Sequence, residues 1–276
     1  MAEWIKELLV GAFNMIYPAN SIWKACMSCV KMMLVTTPMD IGNGDVWSRV
    51  ISELYPTFFV IGSSLLLIFL SIGFLKEITD FRKSITIELL VTYGIKLIIA
   101  EFLLTNAIPL IKLFFRMASQ LSYSMISDNS LTIVTPADPQ IGEMLTYLAW
   151  GLVFMIVALI SSFMILFAVY KRFLNLYLVI LFCPIALSSM SGDRGISQTA
   201  VAWIKSFLGA TFEVVVIALA LLIADWMLTG GLIVFSSLEG TVAEWTVSVL
   251  EGMMTMAITA GTVKGAEGLL RRSFAL

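Results

Sequence analysis

At 276 residues the chain is long enough for two soluble domains, but 59% of it is hydrophobic, only 13% is charged, and its mean hydropathy is +0.97. A soluble domain carries nearer a quarter charged residues, so a single polytopic membrane domain is the economical reading. The formal net charge is −2, and the seventeen Lys and Arg are scattered at segment ends, which leaves no basic patch for direct nucleic-acid binding. Histidine, the commonest general base and metal ligand, does not occur.

In chain order, Trp4, Ile5, Leu8, Leu9 and Ala12 recur at helical spacing with Glu3, Lys6 and Glu7 on the other side. Glu3 and Glu7 stand where a secretory signal needs basic residues, so no signal peptide is expected. Tyr17-Pro18-Ala19-Asn20 reads as a break, and Ser21 as the cap of a second amphipathic helix through Met33. That helix sets Trp23, Met27, Val30 and Leu34 against Lys24 and Lys31. Both helices suit the bilayer interface, and equally suit packing on the chain's own bundle. Cys26 and Cys29 have CxxC spacing, but no second pair or histidine completes a zinc site. They read as two small apolar residues one helical turn apart.

Thr36 to Gly44, with Pro38 and two glycines, is a loop, and Asp45 resembles a cap for a helix through Leu54. Residues 1–55 are therefore expected to be extracytoplasmic amphipathic helices and 56–276 the transmembrane helical domain. Pro56 opens the first clear span, Thr57 to Leu75, followed at once by Lys76, Arg82 and Lys83. Ile85 to Leu104 has the length of a span but carries Glu88, Lys96 and Glu101. A charge at mid-span costs at least roughly 2.5–3.5 kcal/mol, so Lys96 should face protein or water. Glu88, Thr92 and Lys96, four apart, can share one polar stripe. Residues 107–127, with Pro109, Lys112 and Arg116, read as a surface-lying helix, and Ser127 to Gln140 as a polar loop.

Met144 to Tyr170 is an uncharged run longer than the roughly 20 residues a crossing needs. Lys171-Arg172 looks like a hard stop. A second apolar stretch, Phe173 to Ser191, contains Asn175 and Pro184 and either crosses or dips in and returns. Ser188 to Gly195 reads as a turn, and Gln198 to Phe212 starts amphipathic and runs into an apolar segment, Val214 to Leu228, bracketed by Glu213 and Asp225. After an acidic loop, Trp245 to Val263 has Gly252, Ala257, Ala260 and Gly261, small residues that permit close helix packing. Lys264, Arg271 and Arg272 finish the chain.

Placing the basic clusters at 76–83, 171–172 and 264–272 in the cytoplasm puts the N-terminus outside and the C-terminus inside. A re-entrant hairpin at 173–191 satisfies every cluster. The expected fold is all-α: about five transmembrane helices, one re-entrant or short helical hairpin, and N-terminal amphipathic helices. Re-entrant backbone must be buried in protein or line water, which makes 173–191 a candidate functional core.

Catalytic equipment is scarce. There is no Gly-rich phosphate loop and no Walker lysine, Ser188, Ser189 and Ser191 have no base nearby in sequence, and Asp225 is the only aspartate close to a span. No catalytic residue, metal ligand or cofactor is expected. The polar residues in apolar surroundings, Glu88, Thr92, Lys96, Glu101, Glu213 and Asp225, are candidates for a polar lumen or for contacts between helices.

From Tyr170-Lys171-Arg172-Phe173 through Cys183-Pro184-Ile185-Ala186-Leu187, Gly192, and Ala202-Trp203-Ile204-Lys205, the sequence resembles the TrbL / VirB-six family. These are polytopic inner-membrane subunits of type IV secretion and conjugation systems. The matching positions are Arg172, Pro184, Ala186, Trp203 and Lys205 within residues 145–228; no family motif precedes residue 144. The resemblance implies a non-enzymatic channel or scaffold subunit of the bacterial cytoplasmic membrane. It would assemble in several copies beside other secretion subunits, including ATPases, and help pass a DNA–protein substrate. The absence of a long soluble C-terminal extension suggests a compact Gram-positive or mobile-element version. The rivals are a small-solute secondary transporter, whose folds show paired broken helices in two related halves, and a scaffold with no pore.

Overall fold

The computed structural model describes residues 16–81, 87–126, 141–192, 194–229 and 241–273. Among them the secondary structure is helical and no strand occurs, so the chain is an all-α polytopic membrane protein. We number the α-helices α1 (Ile16–Val35), α2 (Asp45–Arg49), α3 (Tyr55–Phe81), α4 (Ile87–Thr105), α5 (Ala107–Met125), α6 (Ile141–Leu181), α7 (Cys183–Ser188), α8 (Arg194–Thr229) and α9 (Thr241–Ser273). Four stretches are long and apolar enough to cross a membrane: Ile41–Thr79, Leu148–Leu181, Gly195–Trp226 and Trp245–Ala266. A fifth is possible if α4 and α5, bent by 57° at Asn106, form one broken span. Only 17% of the apolar window in Ile41–Thr79 and 33% of that in Leu148–Leu181 is buried. Val60, Leu67, Ile98, Phe163, Phe167 and Leu174 all point outward. Apolar surface on this scale would aggregate in water, whereas in a bilayer it is the lipid face.

The chain divides into two compact units. The first comprises 1–35, 122–170 and 215–268. In α1 Trp23, Val30 and Leu34 of the expected apolar stripe are buried and Met27 is half-buried, with Ile16 and Ala19 buried as well. Tyr17-Pro18-Ala19-Asn20, expected to be a break, is helical. Ser21 is accordingly no cap, and its hydroxyl donates back to the Tyr17 carbonyl. The amphipathic helix expected earlier lies outside the described residues. In α6, Phe154, Ala158, Ser161, Ser162, Ile165 and Val169 are buried at helical spacing. In α9, Val249, Met256 and Val263 repeat every seven residues with Ala260 beside them. The small residues of α9 divide between faces, Gly252 and Ala260 buried, Ala257 and Gly261 exposed, so they do not make one packing seam.

The second unit comprises 36–121, 171–214 and 269–276. Its first helix differs from expectation. Gly42, Asn43 and Gly44 all have positive φ, and this left-handed turn launches α2 with no side-chain cap from Asp45. The helix then continues through Leu54 into α3, so the boundary expected at 55 falls inside continuous helix. Pro56 lies within this run. A proline there cannot donate to the Ser52 carbonyl and would clash with it. One π turn, Val50–Leu54, widens the helix immediately before it, and Tyr55 N–H reaches back to the Val50 carbonyl.

The largest correction concerns Lys171-Arg172. They do not stop a helix: α6 runs through them to Leu181. Nothing in either side chain breaks backbone hydrogen bonding, and helix end signals are caps, glycine and proline rather than charge. The break comes at Phe182, ahead of Pro184. Residues 173–191 are therefore the end of a long helix, the six-residue α7 and a 3₁₀ turn, Ser189–Ser191, before α8 begins at Arg194.

Candidate functional site

The break between α6 and α8 is the most elaborated part of the second unit. A helix ending at Leu181 leaves its last carbonyls without intrahelical partners. Phe182 N–H takes the Leu178 carbonyl at 3.2 Å, and the Trp203 indole N–H, arriving from α8, donates to the Val179 carbonyl at 2.9 Å. Trp203 stacks on Phe207 (5.4 Å between centroids, 8° between planes), and Phe207 meets Phe114 and Phe115 of α5. Phe115 in turn meets the Trp47 ring edge-on, and Lys112 lies over that ring at 5.9 Å.

On the other side, α7 packs against α3 and α4. Pro184 meets Gly62 of α3 so closely that a Cβ on Gly62 would stand 2.7 Å from the backbone carbon and oxygen of Pro184. Phe58 and Phe182 form an edge-to-face pair nearby. The 3₁₀ turn is tied down as well: Ser191 Oγ donates to the Leu66 carbonyl at 3.0 Å and to the Ser188 carbonyl at 2.8 Å. Tyr177 Oη, one turn before the break, donates to the Pro38 carbonyl at 2.6 Å. Cys183, Pro184, Ala186, Leu187, Ser188, Ser189 and Ser191 are buried. Buried irregular backbone is held by hydrogen bonds within the protein, as lipid requires.

Of the positions quoted for the resemblance, Arg172, Pro184 and Ala186 are buried, Trp203 is the indole donor just described, and Lys205 is half-buried on α8. All five belong to the second unit. The polar candidates are more dispersed. Glu88, Thr92 and Glu101 are exposed on α4, and the Thr92 hydroxyl donates to the backbone carbonyl of Glu88. Lys96 is half-buried, with its ammonium 4.5 Å from the centroid of the Tyr93 ring. Tyr93 anchors α4 to α3 by donating to the Gly73 carbonyl at 2.7 Å and by an edge-on contact with Phe74. Lys96 therefore has a π-face beside it, a contact worth about 0.5–2 kcal/mol depending on how dry it is. Glu213 is half-buried in the second unit, while Asp225 is half-buried in the first. The six are thus not one cluster. Among the described residues no group of three His, Cys, Asp or Glu side chains stands together as a metal site.

The sequence reading gave no special role to Gly62, Tyr177 or Ser191. Gly62 carried no turn signal, and a glycine inside an apolar run marks a close approach only once its neighbour is known. Compared with family models, curated proteins and solved structures, the chain matches none.

Proposed function

We propose that the protein is a channel or scaffold subunit of a type IV secretion or conjugation machine in a bacterial cytoplasmic membrane. The observation that supports this reading most is the break at Phe182. Four of the five residues that carry the TrbL / VirB-six resemblance have defined packing there or on its flanks: Arg172 buried in α6, Pro184 against Gly62, Ala186 buried in α7, and Trp203 on the Val179 carbonyl. A motif shared through sparse positions makes physical sense when those positions build one broken-helix element. In this proposal the protein works without catalysis, in several copies, beside secretion ATPases and other subunits, and the DNA–protein substrate passes by or through the assembly.

Counting α4 and α5 as one broken span gives five crossings. With residues 76–83 and 264–272 cytoplasmic, the N-terminus lies outside, the α6–α8 turn and the C-terminus lie inside, and Glu239 and Glu244 fall outside. The turn needs no re-entrant dip to keep Arg194 and Lys205 on the cytoplasmic side.

The test is extraction into nanodiscs by a C-terminal tag, with particle mass and co-purifying proteins measured. A multi-copy particle, or one holding secretion ATPases, supports the proposal; a monomer or dimer without partners removes it. The second reading, a small-solute transporter, draws support from the 57° bend between α4 and α5. With the α6–α7 break this makes two interrupted helices in one unit, and discontinuous helices are where transporters bind solutes and ions. Solute uptake by reconstituted vesicles would distinguish it.

A further inference from the structure

Arg172 has 3% of its surface exposed, yet it lies within the apolar stretch Leu148–Leu181. Its Nε and Nη1 groups find no hydrogen-bond acceptor among the described residues, and its guanidinium carbon stands 4.6 Å from the Phe173 ring centroid. A guanidinium carries five N–H donors in a fixed fork, and leaving them unfilled in a protein interior is costly. Something must accept from them.

The helix register identifies what surrounds them. Trp203 of α8 meets Val179 of α6. The carboxylate of Glu213, ten residues further along α8, acts electrostatically on Arg172, seven residues earlier on α6. The two contacts run in opposite directions along the chain, as in an antiparallel pair. Gly209, Ala210 and Thr211 precede Glu213, and all three are buried. Gly209 and Ala210 carry no polar side-chain atom that could accept from a guanidinium. The third, Thr211, is 1% exposed and has a hydroxyl oxygen that also finds no partner among the described residues.

We infer that Arg172, Thr211 and Glu213 hold a protein-enclosed water bridge between α6 and α8. The guanidinium N–H groups are its donor side, and the Glu213 carboxylate and Thr211 hydroxyl its acceptor side. The ligand class follows from charge and access. A small anion would meet the repulsion of Glu213, since the pair is already neutral in sum. A lipid headgroup cannot reach a side chain that is 3% exposed. Water is small, neutral, and both donates and accepts, and a buried water needs two to four polar partners. The inference rests on the helical hairpin and is independent of the secretion proposal.

Arg172-Phe173 is the only Arg-Phe pair in the chain, so the wild-type residue can be identified without mutation. Protein labelled with carbon-13 and nitrogen-15 on arginine and nitrogen-15 on phenylalanine, in nanodiscs, gives the Arg172 Nε–H signal by solid-state NMR through its link to the Phe173 amide. In water-edited spectra this signal should rise at short transfer times, while the backbone amide of Phe173, buried in the same helix, rises more slowly. Glu213→Gln, which keeps a hydrogen-bonding group, should preserve the early rise. An Nε–H signal that rises no sooner than the Phe173 amide would overturn the proposal in favour of a dry pair. A shift of the signal on exchanging chloride for nitrate would overturn it in favour of an anion site.

Discussion

The contact between Gly62 and Pro184 makes a quantitative claim. In Gly62→Ala the new methyl carbon would sit 2.7 Å from backbone atoms of Pro184, where ordinary contact begins at 3.4 Å. Backbone cannot rotate away as a side-chain tip can, so α3 and α7 must part by about 1 Å, an overpacking cost of ~1–3 kcal/mol. The displacement acts on Ser191 Oγ, which reaches the Leu66 carbonyl one helical turn along α3, and it loosens the cover on the fully buried Cys183. Gly94→Ala is the internal control, because a Cβ there meets nothing within 4 Å. Both changes gain the same helix propensity, about 0.8–1.0 kcal/mol, so their difference isolates the clash. The assay uses a Cys26→Ser/Cys29→Ser background in nanodiscs and follows the rate at which a thiol reagent labels Cys183. Gly62→Ala should raise that rate about 5- to 150-fold over Gly94→Ala, if labelling follows the opening equilibrium. Equal rates in the two variants, with equal melting temperatures, would refute the claim that Gly62 exists to admit Pro184.

Trp203→Phe keeps a ring to stack on Phe207 but removes the donor to the Val179 carbonyl. A loss of about 1 kcal/mol in unfolding by a denaturing detergent is expected, with Phe207→Leu on top of it costing less than in the wild type. Neutralising one member of the Arg172–Glu213 pair should lower the yield of folded protein more than Arg172→Met/Glu213→Leu together, because a single change strands the other charge; gel filtration of all three variants measures this. Burial pushes the Cys26 thiol up from its ordinary range. The folded state therefore holds that proton more tightly than the unfolded chain, and this contribution to stability, present below the ordinary thiol range, falls as pH rises through it. Maleimide labelling of Cys26 in a Cys29→Ser/Cys183→Ser variant should accordingly need higher pH than labelling of a peptide thiol.

Several features were legible from the residues because they depend on local composition. Met144 to Tyr170, Thr57 to Leu75 and Val214 to Leu228 announce spans, since lipid accepts apolar helices and nearly nothing else. Trp23, Val30 and Leu34 likewise announced the buried stripe of α1. Charge was the misleading signal. Lys171-Arg172 looked like a membrane boundary because most charges on membrane helices mark one, but a guanidinium enclosed by protein leaves the backbone free to continue. Tyr17-Pro18 and Pro56 misled as well: the first lies in helix, and the second is absorbed by a π turn.

By itself the sequence determined the solvent and the helical class, because these follow from sums over many residues that no single contact reverses. The tertiary structure decided where the long helix breaks and what holds the break. Gly62 is unremarkable until Pro184 lies against it, Trp203 is an interfacial aromatic until the Val179 carbonyl needs a donor, and Arg172 is a stop until α8 brings Glu213 beside it. Each of these roles depends on a partner far away in the chain, and hydropathy and periodicity carry no information about such pairs.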